Sequence, residues 1–249
     1  MSVIQKHNWV NPDIVYIRDG YVDEWDIHAA GFSALKETQI ITAQQIAELE
    51  KLPKVDRNIK IGLLQREHPQ MGAQILETIA NIREQFYTAN NLLDAKILSI
   101  KKDAIIVVDS KITVTKFGQH FEFVNKGHFT SYLRLGNYEF YYNSMTNQLV
   151  CKGLGNDYDQ ISILTLIKQI LQTCETTDKE GRLKYLQKIQ RQYLNHELPV
   201  HVYKDPRTGQ YTVAEFDFTT PDASAFQVNQ LDIATNYVDF LLPTLKAVI

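Results

Sequence analysis

Cysteine is scarce in this sequence: Cys151 and Cys174 are the only two in 249 residues, and they stand 23 positions apart. That excludes a disulfide framework and any zinc site of paired-cysteine spacing. Long apolar runs are missing as well. Nothing approaches the roughly 20 residues that a bilayer crossing needs, and the first residues (Ser2, Gln5, Lys6, His7, Asn8) are too polar for a signal peptide. A cytoplasmic protein without a membrane role is expected. Excess charge is absent too: the net charge is −3, so any attraction to nucleic acid must come from a local patch. What is present is an ordinary globular composition, 44% hydrophobic and 22% charged, with enough chain for one large domain or two small ones. No internal repeat or low-complexity segment occurs.

The stretch that organises the rest is Glu24-Trp25-Asp26-Ile27-His28-Ala29-Ala30-Gly31-Phe32-Ser33-Ala34-Leu35-Lys36-Glu37. It reads as a strand that delivers an acid to a surface and turns at once into a helix over 30–38. Before it, 14–17 and 21–27 read as short strands joined by an Arg18-Asp19-Gly20 turn, with Gly20 supplying φ > 0. Thr42, with Gln45 three residues on, predicts a capping box for a helix over 43–51. Pro53 suits the first turn of a helix ending near Glu67. Pro69 opens a long helix over 70–90, where Ile75, Ile79, Ile82 and Phe86 form one stripe.

The period then changes. Strands are expected at 95–99, 103–109, 111–116, 121–124, 130–135, 138–142 and 149–152. Helices follow at 157–175 and 179–194. Strands at 200–203 and 210–216 flank a turn at Asp205-Pro206-Arg207-Thr208-Gly209, and a last helix covers 231–248, disturbed at Pro243. The expected fold class is α+β: an antiparallel palm-like sheet with packed helices, a strand-rich extension, and a helical C-terminal region. A strand-rich stretch gives way to helices near Gly153–Asp157, giving domains 1–155 and 156–249, the second thumb-like or suited to binding nucleic acid or a partner.

Three pieces in order carry a resemblance. Asp26 at a strand end is followed by Ala29 and, seven positions on, by Ser33. Lys54, Asn58 and Gly62 share one helix face at steps of four. Ser99-Ile100-Lys101-Lys102-Asp103-Ala104-Ile105-Ile106-Val107 reads as strand, turn and strand with an acid at the turn. Over residues 13–110 this pattern resembles the palm of family B DNA polymerases, with two departures: Gly31 replaces an aromatic, and Lys101 stands where the first of two aspartates would be.

The resemblance implies a small nucleotidyltransferase of phage or mobile-element replication, acting on a DNA primer and template with nucleoside triphosphates. Asp26 and Asp103 would hold Mg²⁺ (or Mn²⁺) and carry catalysis. Lys54 would meet the triphosphate, with Asn58, Gly62 and Ser33 lining the nucleotide pocket. The chemistry suits these residue types, because phosphoryl transfer rests on positioning and charge neutralisation by metals with hard oxygen ligands. Lys101 argues for a competing reading. Residues two apart on a strand point to the same face, so Lys101 sets an ammonium beside Asp103, where it competes with Mg²⁺. The protein would then be a catalytically inactive polymerase-like protein that binds nucleic acid or a replication partner.

Lys179, Arg182, Lys184, Lys188 and Arg191 are interleaved with apolar residues, so one helix face buries while the other is positive. This reads as a solvated face or, within the palm reading, as the contact to a phosphate backbone. His28 is read as a surface residue rather than a ligand, and Glu67-His68 lacks the second histidine of a zinc motif. Tyr132, Tyr138, Phe140, Tyr141 and Tyr142 suit sheet packing better than base stacking.

Overall fold

The computed structural model describes residues 3–210 and 235–249. Among these, seven α-helices and two antiparallel sheets make an α+β fold. The elements are β1 (Asn8–Val10), β2 (Tyr16–Ile17), β3 (Val22–Ile27), α1 (Ala30–Thr38), α2 (Ala43–Glu50), α3 (Lys54–Glu67) and α4 (Pro69–Ala89). After them come β4 (Ile97–Lys101), β5 (Ala104–Val108), β6 (Lys116–Phe117), β7 (Phe121–Phe129), β8 (Ser131–Leu135), β9 (Tyr138–Asn143) and β10 (Gln148–Lys152). The chain ends with α5 (Gln160–Glu175), α6 (Lys179–Leu194), a π-helical turn over Tyr237–Leu241 and α7 (Leu242–Ala247).

The residues form two compact units. One comprises the chain up to Asp13 with Tyr21–His128; the other comprises Ile14–Gly20 with the described residues from Phe129 onward. The change from strands to helices at Gly153–Asp157 falls within the second unit.

The first unit is a six-stranded sheet in the order β1-β4-β5-β3-β7-β6. Helices cover one face. α4 lays Ile75, Ile79, Ile82 and Phe86 into a core shared with Ile27, Ile100, Ile105 and Val107, and Phe86 stacks on Phe123 at 4.0 Å between centroids. α2 starts as its sequence dictates: the Thr42 hydroxyl accepts from Gln45 N–H, and the Gln45 side chain accepts from Thr42 N–H. In the second unit, the sheet β10-β9-β8-β2 packs Leu133, Phe140 and Tyr142 against Ile163, Ile167 and Ile170 of α5. Asp159 and Asp178 cap α5 and α6 with their side chains.

Four sequence expectations need correction. β2 and β3 are not a hairpin: β2 pairs with β8, so the two strands lie in different sheets. The left-handed residue between them is Asp19 (φ 52°), not Gly20. No strand forms over 111–115, because the Asn90 side chain takes the N–H groups of Thr113 and Val114, both at 2.9 Å, where a ladder partner would. Val200–Tyr203 is a 3₁₀ turn behind Pro199, with Tyr203 stacked on Tyr193. The turn at 205–209 forms as read, with the Asp205 carboxylate accepting from Arg207 and Thr208 N–H and Gly209 at φ 66°. The expected strand over 211–216 and residues 231–234 of the last helix lie outside the described residues.

Candidate acid-pair site

β4 and β5 form a hairpin whose two-residue tip is Lys102-Asp103, with Lys101 opposite Ala104. β3 flanks that hairpin, and Asp26 lies opposite Ala104. One cross-strand row therefore reads Asn8, Lys101, Ala104, Asp26, and the next reads Val10, Ser99, Ile106, Glu24. These residues share the face opposite the helices, since Trp25 and Ile27 point into the helix-side core. The register brings the backbones of the two acids together: the Ile27 N–H donates to the Asp103 carbonyl at 3.1 Å.

The tip is held from three sides. β3 reaches Asp103 as described, and the Lys102 N–H donates to the His7 carbonyl at 2.6 Å. From α4, Arg83 donates through Nη1 to the Lys102 carbonyl. Arg83 is fully buried, and its Nε and Nη2 have no hydrogen-bond partner among the described residues. Burial pushes its pKa down to about 10, while the negative charge of Asp103 acts in the opposite sense. Lys102 itself takes φ 54° to close the turn.

The alternation argument for Lys101 does not carry across this tip. Its strand ends at Lys101 and Asp103 belongs to the turn, so Lys101 shares its row with Asp26 instead. The negative charge of Asp103 is felt by Arg83, and Lys101 shares the cross-strand row of Asp26 with β5 between them. On the same face, Ser99 and Ile106 are fully buried.

Ser33 is buried, and its hydroxyl donates to the His28 carbonyl at 3.1 Å, tying the β3–α1 junction where Ala29 adopts φ 50°. α3 enters the helix-side core through Ile61 and Leu64, the opposite side of the sheet from Asp26. Lys54 and Asn58 are exposed, and a Cβ at Gly62 would meet nothing within 4 Å. Among the described residues, no group of three or more His, Cys, Asp and Glu side chains is arranged to hold a metal.

The sequence model of the family described as Bacteriophage PBS1 gene 130 protein matches residues 1–249. The chain belongs to this phage protein family. No curated protein matches it.

In this gene 130 family member the basic residues of α6 divide. Arg182 turns back to cap the preceding loop, donating to the Thr177 carbonyl at 3.0 Å. Lys184 pairs with Glu180 at 2.6 Å. Lys179, Lys188 and Arg191 are exposed, while Leu186, Ile189 and Tyr193 bury the other face. Tyr132 and Tyr141 are fully buried, so they pack rather than stack on bases. Among the described residues, no helix is long and apolar enough to cross a membrane.

Sequence reasoning missed two features of the family member. Arg83 lies on the buried stripe of α4, four residues after Ile79 and three before Phe86, and a cation at that position was the available signal. Asp23 is the other: its buried carboxylate meets His128 Nδ1 and the Asn125 amide, each at 3.1 Å, and the His128 ring lies 4.1 Å from that of Tyr21. No sequence spacing joins residues about a hundred positions apart.

Proposed function

We propose that this protein is a palm-like phage protein that binds nucleic acid without transferring nucleotides. The observation that carries the reading is the charge arrangement at the hairpin: a buried guanidinium against Lys102-Asp103, and an ammonium in the Asp26 row. A two-metal centre needs carboxylates that present oxygens to Mg²⁺ from an accessible face. Here a buried guanidinium bonds the hairpin tip, an ammonium shares the Asp26 row across β5, and the neighbouring Ser99 and Ile106 are buried. These residues do not fit a pair of Mg²⁺ ions.

The binding element in this reading is α6, through Lys179, Lys188 and Arg191, with Lys184 and Arg182 at its edge. Neutralising about three phosphates gives a plot of log affinity against log salt with a slope of about −3. A second reading, Mg²⁺-dependent nucleotidyl transfer with Lys54, Asn58, Gly62 and Ser33 serving the nucleotide, is favoured by one observation, the backbone adjacency of Asp26 and Asp103. Incubation with a primed template, nucleoside triphosphates and Mg²⁺ or Mn²⁺ separates them. The expected result is salt-sensitive DNA binding, weakened by K188E/R191E, with no extension of the primer. Extension abolished by Asp26→Ala would overturn the proposal.

A further inference from the structure

α6 is the second of two helices joined only by residues 176–178, a connection as short as the turn in helix-turn-helix DNA-binding pairs. Its solvent face runs most of the length of the helix. Leu183, Lys184, Gln187, Lys188, Arg191 and Leu194 are exposed and recur at helical spacing, while Leu186, Ile189 and Tyr193 hold the opposite face in the core. No acidic residue occurs from 181 to 196. The acids that flank this stretch are engaged: Glu175 accepts from the Thr130 and Ser131 hydroxyls, Asp178 accepts from Gly181 N–H, Glu180 pairs with Lys184, and Glu197 accepts from the Asn195 amide. Among the described residues, Lys179, Lys188 and Arg191 take part in no ion pair, and the Gln187 amide has no hydrogen-bond partner.

The face therefore attracts an anionic polymer, and its shape selects which one. Leu183 and Leu194, 43% and 41% exposed, stand at opposite ends of it, so it lacks the contiguous apolar patch of a protein-binding surface. Single strands are gripped by aromatic stacking, but α6 exposes no aromatic ring: Tyr193 is buried and Tyr185 half-buried. The major groove of duplex RNA is too deep and narrow for side chains to read. That of B-form DNA is about 12 Å wide and admits a helix of about 10–12 Å diameter. The 16 residues of α6 would span about 24 Å along it.

We infer that α6 enters the major groove of duplex DNA and that Gln187 reads an adenine there. Gln187 lies in the middle of the exposed face, one turn from Arg191 and beside Lys184 and Lys188. Its carboxamide both donates and accepts, which matches the N6 donor and N7 acceptor of adenine. Lys188 and Arg191 take phosphates, contacts that fix register but carry no sequence. The inference rests on the reading of α6 as the nucleic-acid element and adds to it the polymer and the base.

The test measures binding of the full chain to duplex DNA, single-stranded DNA and duplex RNA of equal length across a salt series. Duplex DNA should bind most tightly. Selection from a random duplex pool should enrich an adenine at one position, and replacing that base by 7-deazaadenine, which removes the N7 acceptor, should weaken binding by about tenfold. Gln187→Ala, an exposed change, should erase both effects while leaving the salt slope and the helical circular dichroism unchanged. K188E/R191E should instead weaken every duplex alike. Single-stranded DNA or duplex RNA bound as tightly as duplex DNA overturns the inference. So does a pool with no enriched adenine, a 7-deazaadenine duplex bound like its parent, or a Gln187→Ala variant that keeps the preference. Each of these leaves salt-sensitive binding, and with it the proposed function, standing; no salt-sensitive binding to any of the three polymers overturns both.

Discussion

Lys102 holds φ at 54° at an exposed hairpin tip, a conformation that costs an L-residue about 1–2 kcal/mol. Lys102→Gly should therefore stabilise the protein by about 0.5–1 kcal/mol in urea unfolding. Ala29, at φ 50°, should gain less from the same change, because its methyl group packs on the first unit's core. Arg83 presents the opposite balance. Its pKa, lowered from 12.5 to about 10 by burial with Asp103 opposing, corresponds to a net cost of about 3 kcal/mol for keeping it charged, against about 1.5–3 kcal/mol for one charged hydrogen bond. Arg83→Met should thus be neutral or stabilising by about 1 kcal/mol; a loss above about 2 kcal/mol would show that the hairpin contact dominates. At this scale the sequence revealed Asp26 and Asp103 through their places at a strand end and a turn. It did not reveal Arg83, because a helical stripe shows which residues face inward but not which carbonyl a buried cation meets.

The elements follow from local chemistry wherever that chemistry is decisive. Thr42 and Gln45 fix the start of α2, and Thr42→Ala should lower stability by about 1 kcal/mol in thermal or urea melts. α4 is the spine of the first unit. Phe86, fully buried and stacked on Phe123, should cost about 3–5 kcal/mol when truncated to alanine. The helices over 30–38 and 179–194 were legible to the residue, although only the second has a side-chain cap, from Asp178, and the first starts at the left-handed Ala29. The strand expected over 111–116 was not, since it looks β-prone in isolation and only the distant Asn90 amide removes its need for a ladder partner. Val200–Tyr203 misled in the same way: its β-prone residues coil because Tyr203 is drawn to Tyr193.

At the scale of the molecule, pairing between remote segments decides what local signals cannot. Tyr16-Ile17 has no hydrophobic pattern that assigns it to one sheet, and its pairing with β8 places it in the second unit. That unit should also set part of the acid sensitivity. Burial, helped by Lys204 and opposed by Asp159, lowers the pKa of His201 from 6.5. The unfolded chain then takes up the proton more readily than the folded one. The contribution of His201 to stability is complete above about pH 6.5 and is lost as pH falls through the lower folded value. Melting temperatures of the wild type and His201→Asn should converge or cross as pH drops from neutral to mildly acidic. The account as a whole rests on protein cations, not metal ions, offsetting the charge of Asp26 and Asp103. Titration of Mn²⁺ followed by electron paramagnetic resonance tests this most directly, on the wild type and on Lys101→Asp. The account predicts no Mn²⁺ binding at physiological concentrations by the wild type and measurable binding once Lys101 becomes an acid; Mn²⁺ binding by the wild type that Asp26→Asn removes would contradict it.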